Sequence, residues 1–190
     1  MKNVLIISAL FITLVSCAPN KKNTNISCDT SHNTSFGHNL VKAEAIKVKS
    51  SKSQYGHQAD YLLISCIDFR LVDEIGAFME RRGLKDNYDY LVLAGASLGI
   101  KNEKFPHWDK TFFDHLQLVQ DLHKVRGVII LDHRNCGLYR ALLGKEVEAT
   151  RSHETNIHRE QFLKVRKLIH KKYPEIKVEF LLMDIDGIVI

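Results

Sequence analysis

The chain has 190 residues, of which 45% are hydrophobic and 26% are charged. This is enough apolar material for one ordinary globular core, so we expect one domain with tails. The formal charge is +5, but Lys and Arg are spread among Asp and Glu, and no basic, aromatic-interleaved motif is visible. We therefore expect a solvated surface and no nucleic-acid partner, the alternative being attraction to anionic lipid or small anions.

The first residues predict export and a lipid anchor. Lys2 is followed by an apolar stretch, Val4 to Val15, that is too short to span a bilayer comfortably, so residues 1–16 are typical of a secretory signal peptide. The stretch ends in Leu14-Val15-Ser16-Cys17, which resembles the bacterial lipobox. Cys17 would then be the lipid-modified N-terminus of an extracytoplasmic protein on a bacterial membrane. The alternative is an ordinary signal peptide, or a buried helix, with an incidental cysteine.

The next segment predicts a flexible connection to the folded domain. Residues 17–54 are rich in Asn, Ser, Thr and Lys and can bury little apolar surface, so we expect a tether, with the domain at residues 55–190. Cys28 lies in this tether. We expect a free or adventitious thiol there, and a second lipid or an intermolecular disulfide are the alternatives.

Beyond the tether, short apolar runs alternate with amphipathic stretches. The runs 61–65, 90–93, 127–131 and 178–182 are predicted to be strands. Between them, spacings of three and four predict helices. The first predicted helix has its apolar positions at Leu71, Ile75, Phe78 and Met79, and the second has them at Phe112, Leu116, Val119 and Leu122. The third runs from Ser152 to about Lys172, with Phe162, Val165, Leu168 and Ile169 facing inward. The alternation predicts an α/β fold, a three-layer domain with a mainly parallel central sheet of about four to five strands.

Two short motifs follow predicted strands. Cys66-Ile67-Asp68-Phe69-Arg70 leaves the first strand directly, and His133-Arg134-Asn135-Cys136-Gly137 follows the third with one residue between. Functional groups of an open α/β sheet gather beyond the carboxyl ends of its strands, so Cys66 would meet His133 and Cys136 if these strands are neighbours. Two thiolates and an imidazole are a typical zinc set. Three protein ligands leave a fourth position open, as in catalytic zinc sites.

Other interpretations of these residues stay open on the sequence alone. In an exported protein Cys66 and Cys136 could form a disulfide instead, although His133 and the Asp and Arg after Cys66 favour zinc. Structural zinc sites normally have four protein ligands, and no fourth Cys or well-placed His is apparent. The other histidines considered are expected on the surface or on helix faces, where one could supply a ligand or shuttle protons; they are His107, His115, His123, His153 and His158.

Asp68 and Arg70 are two residues apart in the turn after Cys66, so they could form a charge-assisted and even bidentate pair. Such a pair would keep Asp68 ionised as a hydrogen-bond acceptor. The alternative is that Asp68 caps the helix that begins near Leu71.

The two motifs resemble those of the β-class carbonic anhydrases, C-x-D-x-R followed by H-x-x-C-G. The similarity covers the chain from about residue 61 to the end of the sequence. It implies that Cys66, His133 and Cys136 bind Zn²⁺ and that Asp68 and Arg70 are the catalytic pair, with Asp68 as the fourth zinc ligand in a resting form. The implied activity is the reversible hydration of CO₂ to bicarbonate, since Zn²⁺ lowers the pKa of bound water to about 7.

The chain departs from the family's pattern at several positions. The family's R-N-A-G-N segment after the second strand is here Leu93-Ala94-Gly95-Ala96-Ser97. Phe69 stands where a Ser is usual, and Asp132 stands in place of the Gly before the His. The tether replaces the helical N-terminal arms with which family members embrace a partner subunit.

Three functions follow as hypotheses. The first is a membrane-tethered carbonic anhydrase, a zinc lyase acting on CO₂ and bicarbonate. The second is zinc-dependent hydrolysis of another small CO₂-like molecule, and the third is a non-catalytic zinc-binding or zinc-sensing lipoprotein. The resemblance also implies a homodimer, because β-class relatives are dimers or multiples of dimers, and we expect the sheet edge at the fourth strand to be open for pairing.

Overall fold

The computed structural model describes residues 56–190. The predicted signal peptide, the lipidation site Cys17, the tether and Cys28 lie outside these residues, so membrane attachment and extracytoplasmic location stay predictions. Within the described part of the chain, no helix is long and apolar enough to cross a membrane.

A four-stranded sheet forms the centre of the domain. Its strands are β1 (Tyr61–Ser65), β2 (Tyr88–Val92), β3 (Gly127–His133) and β4 (Lys177–Met183). The strand order is β2-β1-β3-β4, and each neighbouring pair is parallel. The first and third predicted strands are therefore neighbours, which is the condition that the predicted site requires.

Helices cover both faces of the sheet and complete the predicted three-layer α/β domain. In chain order they are α1 (Val72–Arg81), α2 (Ser97–Ile100), α3 (Trp108–His123), α4 (Gly137–Leu143) and α5 (Arg151–Lys172). Residues such as Leu62 and Ile130 pack with α3 and α5, whereas Leu63 and Ile129 pack with α1 on the opposite face. This alternation follows from the pleat of the strands, whose successive side chains point to opposite faces.

Strand β3 is two residues longer than predicted, because Asp132 and His133 continue the ladder opposite Leu182 and Met183. All seven of its residues are buried. By the same alternation, Asp132 turns toward the face that carries α5, and His133 turns to the other face. The extension therefore brings a charged side chain and a predicted zinc ligand to one strand end.

The sheet edge at β4, which we expect to be open for pairing, is covered by the chain at its carboxyl end. The C-terminal residues turn back, so Leu182 and Ile190 exchange backbone hydrogen bonds and Met183 forms an antiparallel bridge with Val189. The end of β4 is thus covered by the chain itself. The homodimer stays a prediction.

Candidate metal centre

The three predicted zinc ligands meet at the carboxyl ends of β1 and β3. Cys66 follows the last residue of β1, His133 is the last residue of β3, and Cys136 is the N-cap residue of α4. One potential ligand atom from each residue lies within 4.8 Å of the other two, and within residues 56–190 no other group has such spacing. The strand order explains the meeting, since the two cysteines are 70 residues apart in sequence.

The distance between the two sulfurs fits a metal site better than a disulfide. The Sγ atoms of Cys66 and Cys136 are 3.9 Å apart, whereas a disulfide bond is about 2.05 Å long. Two sulfurs each about 2.3 Å from a tetrahedral zinc ion stand about 3.8 Å apart. Both cysteines are free in this structure, so the alternative of a disulfide between them is not realised.

His133 presents one ring nitrogen for a metal. Its Nδ1–H donates to the carbonyl oxygen of Arg134 at 2.8 Å, which fixes the tautomer and leaves Nε2 as the ligand atom. The ring is buried, and Nε2 has no hydrogen-bond partner among the described residues. Zinc-ligating histidines commonly donate their second ring nitrogen to a backbone carbonyl in this way.

In the metal-free protein the two thiols differ strongly in acidity. A hydrogen bond from Cys136 lowers the pKa of Cys66 to about 4 against the opposing effect of burial, and His133 and the N–H of Gly95 also favour the thiolate. The hydrogen bond with Cys66 and burial both raise the pKa of Cys136. Burial lowers the pKa of His133, but the Cys66 thiolate, the hydrogen bond to the carbonyl of Arg134 and the charge of Asp68 together outweigh this effect, and the net shift is upward. A divalent cation would compensate this buried negative charge.

Asp68 and Arg70 form the predicted pair beside the cysteines. Arg70 donates from Nε to Oδ1 at 2.9 Å and from Nη2 to Oδ2 at 2.7 Å, so the ion pair is bidentate. Oδ1 of Asp68 also accepts the backbone N–H of Arg70 and caps the short 3₁₀ turn Phe69–Leu71. The ion pair and the cap therefore occur together. The hydrogen bonds from Arg70 hold the pKa of Asp68 at about 2.

Asp68 lies near the three ligands without joining them. Its Oδ2 is 3.7 Å from Nε2 of His133, but the group with mutual ligand spacing contains only Cys66, His133 and Cys136 among the residues described. The carboxylate is turned toward Arg70. The resting form with Asp68 as a fourth ligand therefore stays a prediction.

Two cavities open beside Asp68. One, of about 320 Å³, touches Cys66 and has mainly apolar walls that include Ala94 and Leu138. The other, of about 520 Å³, is lined by Arg70 and by Phe69, whose side chain is 85% exposed. The site is therefore accessible, with an apolar wall on one side and a guanidinium group on the other.

Asp132 is a buried hydrogen-bond hub behind the site. Its carboxylate accepts from the backbone N–H and the hydroxyl of Ser97, from the hydroxyl of Tyr139 and from Nδ1 of His158, at 2.5–2.9 Å. Two departures from the family's pattern, Ser97 and Asp132, thus bind each other. His158 lies on a face of α5, as one of the two expectations has it, but that face is buried and the residue is 1% exposed, because α5 turns this side chain onto the carboxylate.

No family model matches the chain. An uncharacterised protein of Rickettsia bellii is 43% identical over 152 residues, which cover 79% of this chain and 93% of that protein. A second uncharacterised protein, from Rickettsia conorii, is 40% identical over 152 residues, 79% of this chain and 82% of that protein. The chain belongs to the family of these two proteins. The matched length exceeds that of the described domain, so this family shares a sequence longer than residues 56–190.

The fold of this chain is similar to those of several solved structures. One is a β-carbonic anhydrase of Aspergillus fumigatus, which is 16% identical; the match covers 71% of this chain and 76% of that chain, with a TM-score of 0.47. A carbonic anhydrase from Glaciozyma antarctica is 16% identical to this chain, and the match covers 73% of this chain and 87% of that chain with a TM-score of 0.45. A structure of tetrameric β-carbonic anhydrases from Sordaria macrospora is 17% identical to this chain. The match covers 71% of this chain and 81% of that chain, with a TM-score of 0.43.

Proposed function

We propose that this chain is a zinc-dependent carbonic anhydrase that converts CO₂ and water to bicarbonate and a proton, reversibly. The observation that carries the proposal is the position of the Asp68–Arg70 pair, with Oδ2 of Asp68 3.7 Å from the free Nε2 of His133. An ionised acceptor held this close to three potential metal ligands is suited to orient a water molecule in the fourth position. A purely structural zinc site has no need of such an acceptor.

Cys66, His133 and Cys136 would hold the zinc ion through two sulfurs and Nε2. Zinc bound by three protein ligands lowers the pKa of water in the fourth position to about 7, which supplies a nucleophile at neutral pH. The N–H group of Gly95, 3.2 Å from Sγ of Cys66, stabilises the thiolate form that a metal requires.

Asp68 would act as an acceptor throughout the working pH range, because its pKa is about 2. Arg70 uses two donors on Oδ1 and one on Oδ2, so Oδ2 keeps acceptor capacity for the attacking water. The bidentate pair also restrains the carboxylate from rotating away from this position. Asp68 would therefore orient the nucleophile, and Arg70 would position Asp68.

The apolar cavity beside Cys66 is suited to an uncharged substrate. Its walls include Ile67, Ala94 and Leu138, which offer contact to CO₂ without hydrogen bonds that would favour water. Bicarbonate carries a negative charge and would leave through the neighbouring cavity, which Arg70 lines. In the hydration direction, CO₂ would therefore occupy the apolar cavity and bicarbonate would leave through the cavity lined by Arg70.

Stopped-flow CO₂ hydration with zinc-loaded protein, from about pH 6 to about pH 9 around the pKa of zinc-activated water, tests the proposal. We expect a rate that rises with pH through one step near 7. Asp68→Asn should lower the rate by about 10–100-fold, the usual effect of losing a group that orients a metal site. Because the pKa of Asp68 is about 2, the wild-type profile should show no second step from this group.

Asp73→Asn is the matched control, since Asp73 is an exposed carboxylate in the first turn of α1. It should leave the hydration rate unchanged. A wild-type protein that contains zinc but gives no rate above buffer would exclude carbonic anhydrase activity. That result would leave the zinc-binding lipoprotein, or hydrolysis of another CO₂-like molecule, as the function to test next.

A further inference from the structure

The loop between His133 and Cys136 is held from inside the protein by a carboxylate of α5. Oε1 of Glu154 accepts the backbone N–H of Asn135 at 2.7 Å, and Oε2 accepts from Nη1 of Arg134 at 3.0 Å. The side chains of Glu154 and Arg134 are only 8% and 7% exposed. One buried carboxylate therefore contacts both residues that separate two predicted zinc ligands.

This loop contains one residue with a left-handed backbone, which Glu154 contacts directly. Asn135 has a φ of +55°, a left-handed conformation that asparagine adopts more readily than other residues with a side chain. The turn lets β3 end at His133 and α4 begin at Gly137 with Cys136 as its N-cap residue. The charge-assisted hydrogen bond from Asn135 to Glu154 holds the backbone of this turn in place.

The contact with Arg134 extends to the zinc-ligating ring. The carbonyl oxygen of Arg134 accepts Nδ1–H of His133 at 2.8 Å, and its N–H donates to Met183 at 2.9 Å. Its guanidinium group is fixed by Glu154 and also by Asp184, with Nε 2.8 Å from Oδ1. Because both the backbone and the side chain of Arg134 are held, the acceptor that selects the His133 tautomer is held as well.

The contact with Asn135 extends to the Asp68–Arg70 pair. Nη1 of Arg70 donates to Oδ1 of Asn135 at 3.0 Å, and Nη2 donates to its carbonyl oxygen at 3.2 Å. Arg70 is therefore held between Asp68 and Asn135. A shift of Asn135 would move the guanidinium group and, with it, the Asp68 carboxylate.

We infer that Glu154 is a positioning residue that sets both the His133 ring and the Asp68–Arg70 pair through the loop Arg134–Asn135. The effect on metal binding is independent of the reaction, whereas the effect on Asp68 rests on the proposed carbonic anhydrase activity. Glu154 lies outside both sequence motifs and acts 19 residues from Asn135 in sequence.

Cobalt binding to the full chain tests the inference, because the visible spectrum of Co²⁺ in a zinc site reports its coordination geometry. Glu154→Ala removes both acceptors, and Glu154→Gln keeps one neutral acceptor for Asn135 but loses the charge that faces Arg134. We expect zinc affinity, measured by competition with a chelator, to fall by about 10–100-fold in the Ala variant. The Gln variant should lie between Ala and wild type, and both should have an altered Co²⁺ spectrum.

Glu160→Gln on the exposed face of α5 is the matched control and should change neither quantity. If the Glu154 variants keep the wild-type Co²⁺ spectrum and zinc affinity, even with a lower melting temperature, the inference is overturned and Glu154 is only structural. If wild type shows no CO₂ hydration but the variants still lose zinc affinity and change the spectrum, the proposed activity fails and the positioning of His133 stands. In an active enzyme, the Ala variant should also lower the hydration rate at saturating zinc.

Discussion

Asp132 shows at the scale of one residue how much a buried carboxylate can organise. Asp132→Ala would leave the hydroxyls of Ser97 and Tyr139 and Nδ1 of His158 without their acceptor in a buried site. A buried donor that is left without its acceptor typically costs about 1–3 kcal/mol. We therefore expect urea denaturation of the variant to give a loss of unfolding free energy of about this size.

Asp114→Ala provides the matched comparison, because Asp114 pairs with Lys110 on the surface of α3, where both side chains are largely exposed. Exposed pairs contribute about 0–1 kcal/mol, so this change should be close to neutral. Equal losses in the two variants would contradict the view that Asp132 holds α2, α4 and α5 to the end of β3.

The positions of the three potential metal ligands could be predicted from the sequence, but the buried carboxylates that hold the surrounding residues in place could not. Cys66 follows one apolar run directly, and His133 follows another with one residue between. Functional groups gather at the carboxyl ends of parallel strands, so the local sequence placed both residues at the same edge of the sheet. Glu154 acts on Asn135, 19 positions away, and Asp132 acts on His158 and Ser97, 26 and 35 positions away. No spacing within one helix or strand indicates such contacts, which depend on how α5 packs against the sheet.

Among the elements, the short helix α2 is the one that the packing most restricts. A Cβ on Gly99 would fall on the carbonyl oxygen of Ala94 and come within 2.9 Å of Cγ of Leu93. The backbone there cannot yield without moving Gly95, whose N–H contacts Cys66. Gly99→Ala should therefore cost about 1–3 kcal/mol, as overpacking does, and should also weaken zinc binding.

Gly76 in α1 is the matched position, since a Cβ added there would meet nothing within 4 Å. Gly76→Ala should stabilise the protein by about 0.4–1 kcal/mol through the lower entropy of the unfolded chain. Thermal denaturation of both variants, with chelator-competition measurements of zinc affinity, checks the pair. A neutral Gly99→Ala with unchanged affinity would show that the Ala94–Gly95 turn tolerates displacement.

Long elements were predictable from periodicity, whereas short ones were not. α5 was predicted as Ser152 to about Lys172 and is observed as Arg151–Lys172, because a long apolar spacing pattern is a strong signal. α2 and α4 have only four and seven residues. They are too short for a helical period to be distinguished from a loop, and they form because the strand ends place them against Asp132.

At the scale of the whole molecule, zinc binding should be coupled to folding, and this coupling should depend on pH. In the metal-free protein Cys66 is a thiolate above about pH 4, whereas the pKa of Cys136 is raised and its thiol keeps its proton at neutral pH. Zinc must displace that proton, so zinc affinity should increase about tenfold for each unit of rising pH. Below the raised pKa of His133 a second proton must leave, and the dependence should steepen as pH falls.

Zinc bound only by the folded state should add about 2.7 kcal/mol at a free concentration of 100 times Kd. The gain in melting temperature at fixed zinc should therefore be larger at about pH 8 than at about pH 6, since the ligands must lose their protons to bind. Cys136→Ser should abolish most of the gain, and Cys28→Ser, a cysteine outside both motifs, should keep it. A gain that is equal at both pH values, or equally reduced in the two variants, would mean that zinc stabilises the protein from a site other than Cys66, His133 and Cys136.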